Sequence, residues 1–246
     1  MIRLTRYSYK THQGPYLTVN EDSVHVDIVN GLYLVCDGIG GAGIGDQFSK
    51  LIIDTIKNSF LRFGKNPDST LPFFYSPKYL IEGNALINAL YHTHDLAKKQ
   101  NHGKDLSQRG AGSCVAVSFS NKMLTLSSVG NCIAYLYRNQ ALDTIIHPDS
   151  LDSIYQGTTF SPYRTTPMSG IGLFKDLHFQ IRELLVQKDD MLLLLTDGAY
   201  SRISKAELTE IVSNGSANLE DKINSIFSIA NKKGNLDNQS AILLNF

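Results

Sequence analysis

The sequence has no excess of charge of either sign: 23 lysines and arginines face 23 aspartates and glutamates. No global field therefore draws it toward nucleic acid or a membrane, and its basic and aromatic residues form no nucleic-acid-binding stripe. Cysteine is scarce, with Cys36, Cys114 and Cys132 alone. None is in CxxC spacing and two lie inside apolar runs, where a free thiol behaves as a small hydrophobe; this argues against a disulfide framework or a zinc site. No apolar run approaches the ~20 residues of a membrane-spanning helix. The opening MIRLTRYSYK is too polar to be the core of a signal peptide. Internal repeats, low-complexity tracts and convincing linkers are absent as well. These absences predict a cytoplasmic protein, with residues 1–246 as a single domain.

What is present is a change of periodicity along the chain. Phe48, Leu51, Ile52, Ile56 and Phe60 make one face of an amphipathic helix, and Ile87, Leu90, Tyr91 and His94 predict a second over about 79–99. The proline-bearing stretch 64–78 separates them as a loop. From residue 112 onward SCVAVSF, KMLTLSSV, IAYLYR and ALDTIIH are short β-rich runs, broken at Ser120-Asn121 and Asn139-Gln140, which predicts an antiparallel meander. Leu177, Phe179 and Ile181 alternate as in a half-exposed strand. MLLLLTDG is apolar until its acid. Ser204 and Glu207 fit a capping box, a helix follows over Leu219 to Ala230, and SAILLNF closes the chain as a strand. This order predicts α+β layering and not regular βαβ alternation.

LYLVCDGIGGAGIGDQFSK, residues 32–50, poses the functional question: a hydrophobic strand ends in an acid and runs into five glycines. GIGGAG matches the dinucleotide pattern GxGxxG. Against that reading, Asp37 would repel a pyrophosphate, and no second parallel strand ending in an acid follows about 20 residues on. A metal site needs more carboxylates presented in the same way. Glu21 and Asp22 precede a strand, Asp197-Gly198 repeats the strand–acid–glycine arrangement of Asp37-Gly38, and Asp237 lies just before the last strand. Each alone is ordinary turn or strand-edge chemistry. Together they are the oxygen-rich set that Mg²⁺ and Mn²⁺ prefer.

That joint pattern resembles the metal-dependent serine/threonine protein phosphatases (PPM, type 2C) in their compact bacterial form. Six blocks carry the likeness in order: Gly14 with NEDS (20–23), LVCDGIGGAGIGDQFS (34–49), GAGSCVAVSF (110–119), SSVGNCIAYLYRNQAL (127–142), DDMLLLLTDGAYSRIS (189–204) and DNQSAILL (237–244). The resemblance implies a four-layer α-β-β-α sandwich of two central antiparallel sheets flanked by helices. It implies two Mn²⁺ or Mg²⁺ ions held by Glu21, Asp37, the carbonyl of Gly38, Asp197 and Asp237, with Asp22 as a supporting acid. Hydrolysis of phosphoserine and phosphothreonine in proteins would follow, by in-line attack of a water shared between the ions. The partners implied are phosphorylated proteins, substrates of a serine/threonine kinase, with no nucleic acid and no membrane, and the chain acting as a monomer.

The sequence departs from that family at three places. Leu17 stands where an arginine would grip the substrate phosphate, and leucine cannot replace a bidentate guanidinium. Arg6, Arg109 and Arg164 are the candidate substitutes. Asn131-Cys132 follows Gly130 where Asp-Ser is usual, which argues against a third ion. Gln239 and Ser240 replace a hydrophobic residue and a threonine. Leu17 and Asn131 favour the alternative reading, a pseudophosphatase that binds and regulates a phosphorylated partner. His92 and His94 form an HxH pair, but two residues apart on a helix they face different directions and are read as packing residues. Cys36 should point away from Asp37 into the core.

Overall fold

A computed structural model describes residues 2–41, 43–65, 69–151 and 165–246. Two five-stranded antiparallel sheets form its centre. One has the spatial order β1 (Arg6–His12), β10 (Gln239–Asn245), β9 (Met191–Leu195), β6 (Ile133–Arg138) and β7 (Ala141–Ile146). The other has β2 (Asp22–Asp27), β3 (Leu32–Ile39), β4 (Ala111–Ser120), β5 (Met123–Val129) and β8 (Gln180–Leu185). Helices α1 (Ile44–Lys65) and α2 (Ile81–Asn101) cover the second sheet; α3 (Asp197–Tyr200), α4 (Lys205–Ser213) and α5 (Leu219–Lys232) cover the first. The result is the α-β-β-α sandwich that the resemblance implied, and it agrees with the α+β layering.

Side-chain alternation decides which face each strand gives to which layer. In β3, Leu32, Leu34 and Cys36 pack outward among Phe48, Ile52, Ile56 and Leu86 of the helices. Tyr33 and Val35 point the other way, into a seam shared with Leu192, Leu194, Ile242 and Leu244 of the opposite sheet. Leu193, Leu195, Ala241 and Leu243 meet Ile223, Ile226 and Phe227 of α5. Both sheets are thus buried on both faces, which explains their near-continuous apolar runs.

Several sequence expectations hold and others are corrected. The capping box of Ser204 and Glu207 opens α4, each side chain bonding the other residue's backbone N–H. The breaks at Ser120-Asn121 and Asn139-Gln140 are hairpin turns. Asn121, Lys122, Asn139 and Gln140 all have positive φ, the primed geometry that matches strand twist. The four-run meander is wrong in the middle: β5 and β6 belong to different sheets, and Gly130, at φ +85°, lies where the chain crosses between them. Local propensity marks strands but not the sheet each joins.

β1 escaped the sequence reading because RYSYKTH is a mostly exposed edge strand with no apolar face. β8 starts only at Gln180, although Leu177 and Ile181 are buried as the alternation required. Nor does β3 end at its acid: Asp37, Gly38 and Ile39 still pair with Ser113, Gly112 and Ala111.

Candidate active site

The register of the sandwich delivers the acids to one end of the inter-sheet seam. Val35 faces the seam, so Asp37, two residues on, does too. β2 lies antiparallel to β3 with Asp22 directly opposite Asp37. In the other sheet Leu194 and Ile242 face the seam, so Thr196 and Ser240 reach it by the same alternation. Asp197 follows as the first residue of the one-turn helix α3, and Asp237 immediately precedes Asn238 and β10. Neither Asp-Gly pair is a simple turn: one lies within a strand and the other opens a helix.

Burial and mutual repulsion dominate the electrostatics. Desolvation raises the Asp37 carboxyl well above its ordinary range, and Asp197, Asp22, Asp237 and Glu21 each push it further. Burial lifts Asp22 to about 8, partly opposed by hydrogen bonds from the hydroxyls of Thr196 and Ser240. Asp197 rises to about 7, through burial first and then Asp237. Asp237 is raised too, by desolvation of its carboxyl, although the residue as a whole is exposed at the mouth of the site. Glu21 is raised by burial and by Asp46 and Asp237, against a hydrogen bond from the Gly45 N–H. Every charge acting on Asp37 in this way is negative, so ionising the set needs compensating cations.

Two glycines keep this space open. A Cβ on Gly45 would lie 2.7 Å from Oε2 of Glu21 and 2.8 Å from the Gly38 carbonyl oxygen. The carboxylate and the carbonyl assigned to one ion therefore border the same point. A Cβ on Gly198 would lie 1.9 Å from the Asn238 carbonyl oxygen and 3.1 Å from Cβ of Asp237, so only glycine lets α3 approach that loop. The donor set is all oxygen and chemically fits a hard divalent ion. Among the described residues, no three histidine, cysteine, aspartate or glutamate side chains are drawn together closely enough to form a ready metal cage.

Polar neighbours hold these acids, and apart from Asn131 and Ser240 the sequence reading did not single them out. Asn238 accepts from the Glu21 N–H at 2.8 Å and donates to the carbonyls of Gln13, at 2.9 Å, and Val19, at 3.0 Å. It clamps the loop that carries Leu17. Thr196 Oγ1 donates to Asp22 at 2.7 Å and receives the Ser240 N–H at 2.8 Å. Asn131 donates to Asp197 at 3.1 Å. Only an unusual density of Asn, Thr and Ser beside the acids could have drawn attention to them in the sequence.

Of the arginine substitutes, the structure removes Arg6 alone. Arg6 pairs with Asn245 at the opposite end of β1 from His12, about 20 Å away along a strand, and its guanidinium is bound to the Asn245 side chain at 3.0 Å. Arg109 Nε donates to the Lys104 carbonyl, and Arg164 lies outside the described residues. His92 bonds Ser59, whereas His94 bonds Gly172 and Lys175, so the HxH pair divides as expected. Cys36 is buried in the helix-facing core, on the opposite strand face from Asp37.

A two-sheet sandwich with acids at one end of its seam is the architecture of a protein serine/threonine phosphatase. The chain belongs to the protein phosphatase 2C family, whose model matches residues 17–239. No curated protein matches the sequence. Among solved structures it is similar to PppA, a key regulatory component of the T6SS in Pseudomonas aeruginosa, at 22% identity and a TM-score of 0.79, with 99% of each chain covered. It is similar to the PPM Ser-Thr phosphatase MsPP of Mycobacterium smegmatis in complex with cacodylate, at 18% identity and a TM-score of 0.78 over 100% of both chains. A third likeness is to the catalytic domain of the serine threonine protein phosphatase PstP in complex with 2 manganese ions: 19% identity, TM-score 0.74, 98% of this chain and 97% of that one. At these identities the likeness establishes the fold. No helix among the described residues is long and apolar enough to cross a membrane.

Proposed function

We propose that this chain hydrolyses phosphoserine and phosphothreonine in proteins, the products of a serine/threonine kinase, and that Glu21, Asp37, the Gly38 carbonyl, Asp197 and Asp237 hold two Mn²⁺ or Mg²⁺ ions for that reaction. The observation that carries the reading is the pair of oxygens, from Glu21 and Gly38, bordering the point that Gly45 leaves open beside a carboxylate ringed by other acids. Bound there, divalent ions supply a nucleophilic water near neutral pH and offset charge on the phosphoryl oxygens.

The protein's part is to hold the oxygen ligands in place before substrate arrives. Thr196 and Ser240 fix Asp22 behind the site, Asn238 fixes the backbone of Glu21, and Asn131 fixes Asp197. Burial and mutual repulsion raise the carboxyl pKa values, and divalent cations would offset that repulsion. No cysteine or serine nucleophile is needed: Cys36, Cys114 and Cys132 are buried, with their thiols raised in pKa by desolvation.

The test is phosphopeptide hydrolysis with Mn²⁺, with and without chelator, in wild type and Asp37→Asn. Activity that chelator abolishes and Asp37→Asn lacks is the expected result. Full activity in Asp37→Asn overturns the ion assignment. Mn²⁺ binding without turnover in wild type replaces the enzyme reading with the regulatory pseudophosphatase.

A further inference from the structure

We infer that Asn131 and Thr165 form a latch that sets the orientation of Asp197, with Asn131 as the positioning residue; the inference rests on the proposed role of Asp197 as an ion ligand. Asn131 lies where the chain crosses from one sheet to the other, and it is only 1% exposed. Its Nδ2 donates to Asp197 Oδ2 at 3.1 Å and to the Thr165 carbonyl at 2.8 Å. The Thr165 side chain also acts on Asp197, opposing the rise in its pKa. Three residues, far apart in sequence, thus form a ring of contacts around one carboxylate.

The ring is tightened from α3. Tyr200, one turn after Asp197, donates its hydroxyl to the Asn131 carbonyl at 2.6 Å. The short helix therefore grips Asn131 by side chain and backbone at once. Thr165 in turn opens a segment that is bonded to the rest of the site's surroundings. Met168 N–H donates to Asp149, Ser169 Oγ accepts from Gly130 N–H, and Ile171 exchanges both backbone bonds with Gly112. Gly112 is the strand partner of Gly38. The latch connects this segment to Asp197.

The chemistry requires an amide at position 131. Both partners of Nδ2 are oxygen acceptors, so reversing the amide would set Oδ1 against two oxygens. Oδ1 accordingly faces elsewhere, buried and without a hydrogen-bond partner among the described residues. An ionised aspartate at 131 would accept only, and would face Asp197 Oδ2 and the Thr165 carbonyl with like charge. The amide that departs from the family pattern is thus adapted to hold Asp197, a role a carboxylate cannot take in this arrangement.

The test measures Mn²⁺ affinity by calorimetry on the metal-free full chain, with melting temperature in chelator as a separate readout. Asn131→Ala is expected to weaken Mn²⁺ binding about 10–100-fold, the range seen when a group that orients a ligand is removed. Thr165→Val should weaken it in the same direction. Combining Asn131→Ala with Thr165→Val should cost less than the two single effects together, since both act on Asp197. Wild-type Mn²⁺ affinity in Asn131→Ala, or strict additivity, overturns the latch. If Asn131→Ala fails to fold, Thr165→Val decides alone, and unchanged affinity there overturns the inference. Absence of Mn²⁺ binding by wild type overturns the proposed function, whereas binding that the variants leave unchanged overturns only the latch.

Discussion

Thr196, beyond the end of β9 in one sheet, donates its hydroxyl across the seam to Oδ2 of Asp22, the first residue of β2 in the other sheet, at 2.7 Å. Elsewhere the two sheets meet through apolar side chains such as Val35, Leu194 and Ile242. At this end a hydrogen bond joins them, because the acids have displaced the apolar core. Thr196→Val keeps the shape and deletes the donor. It should lower the unfolding free energy by about 1–3 kcal/mol, the cost of leaving a buried acceptor short of a partner. Urea unfolding at pH 7 checks it; an unchanged midpoint would show that Ser240 alone suffices.

Gly45 and Gly38 should respond differently to alanine. At Gly45 the added Cβ meets chiefly the Glu21 side chain, 2.6 Å from Cδ, which can turn away, and the Gly38 carbonyl oxygen at 2.8 Å, a milder backbone clash than the one at Gly38. Gly45→Ala should therefore fold, yet lose at least about tenfold in Mn²⁺ affinity if Glu21 is an ion ligand. At Gly38 the Cβ meets backbone, 2.0 Å from the Gly45 carbonyl oxygen and 2.6 Å from that of Glu21. Gly38→Ala should cost about 3 kcal/mol in stability. Calorimetric Mn²⁺ titration and chemical denaturation of both variants separate the two cases.

Leu17 is 40% exposed, on the loop that Asn238 clamps beside Asp237. Leu17→Arg is expected to lower KM for a phosphopeptide by about tenfold, since a charge-assisted hydrogen bond contributes about 1.5–3 kcal/mol. The effect should shrink at high salt. Steady-state kinetics at two ionic strengths measure it, and an unaltered KM would mean that position 17 does not face the phosphate.

His94 gives stability a pH dependence away from the acids. Its Nδ1 accepts from the Gly172 N–H at 3.1 Å, and Nε2 donates to the Lys175 carbonyl at 3.3 Å, which requires the neutral ring. Burial holds its pKa below the usual 6.5, and Lys98 acts in the same direction; the Lys175 carbonyl, Asp95 and Asp176 oppose them. A lowered folded-state pKa means that the unfolded chain takes the proton first. The stabilisation is complete above the unfolded value of 6.5 and is lost as pH falls through the folded one. His94→Gln should cost about 1 kcal/mol at pH 8, and the difference from wild type should fade toward pH 5. Denaturation curves at four pH values test this; a constant difference would place the effect in packing.

The parts of this protein legible in its sequence are those governed by local rules. The 3.6-residue periodicity located α1 and α2, paired breaks in the β runs located hairpin turns at Asn121 and Asn139, and Ser204 with Glu207 announced α4. The strand–acid–glycine pattern at Asp37 and Asp197 marked where to look for chemistry. β1 was not legible, because an exposed edge strand such as RYSYKTH has no apolar face to show. Asn131 stood out only as a departure from the family pattern, and Thr196 and Asn238 were not legible as site residues, because a threonine or an asparagine has no functional signature until its partner is in place.

The sequence by itself determined which residues alternate, which segments must bury an apolar face, and that several acids stand at strand ends. Tertiary structure alone decided that β5 and β6 part into different sheets and that Asp22 stands opposite Asp37. It also decided that Thr196, 174 residues away in the chain, closes on Asp22. The physical reason is that strand register and sheet membership depend on non-local pairing, and only that pairing brings carboxylates from four separate segments into one desolvated pocket.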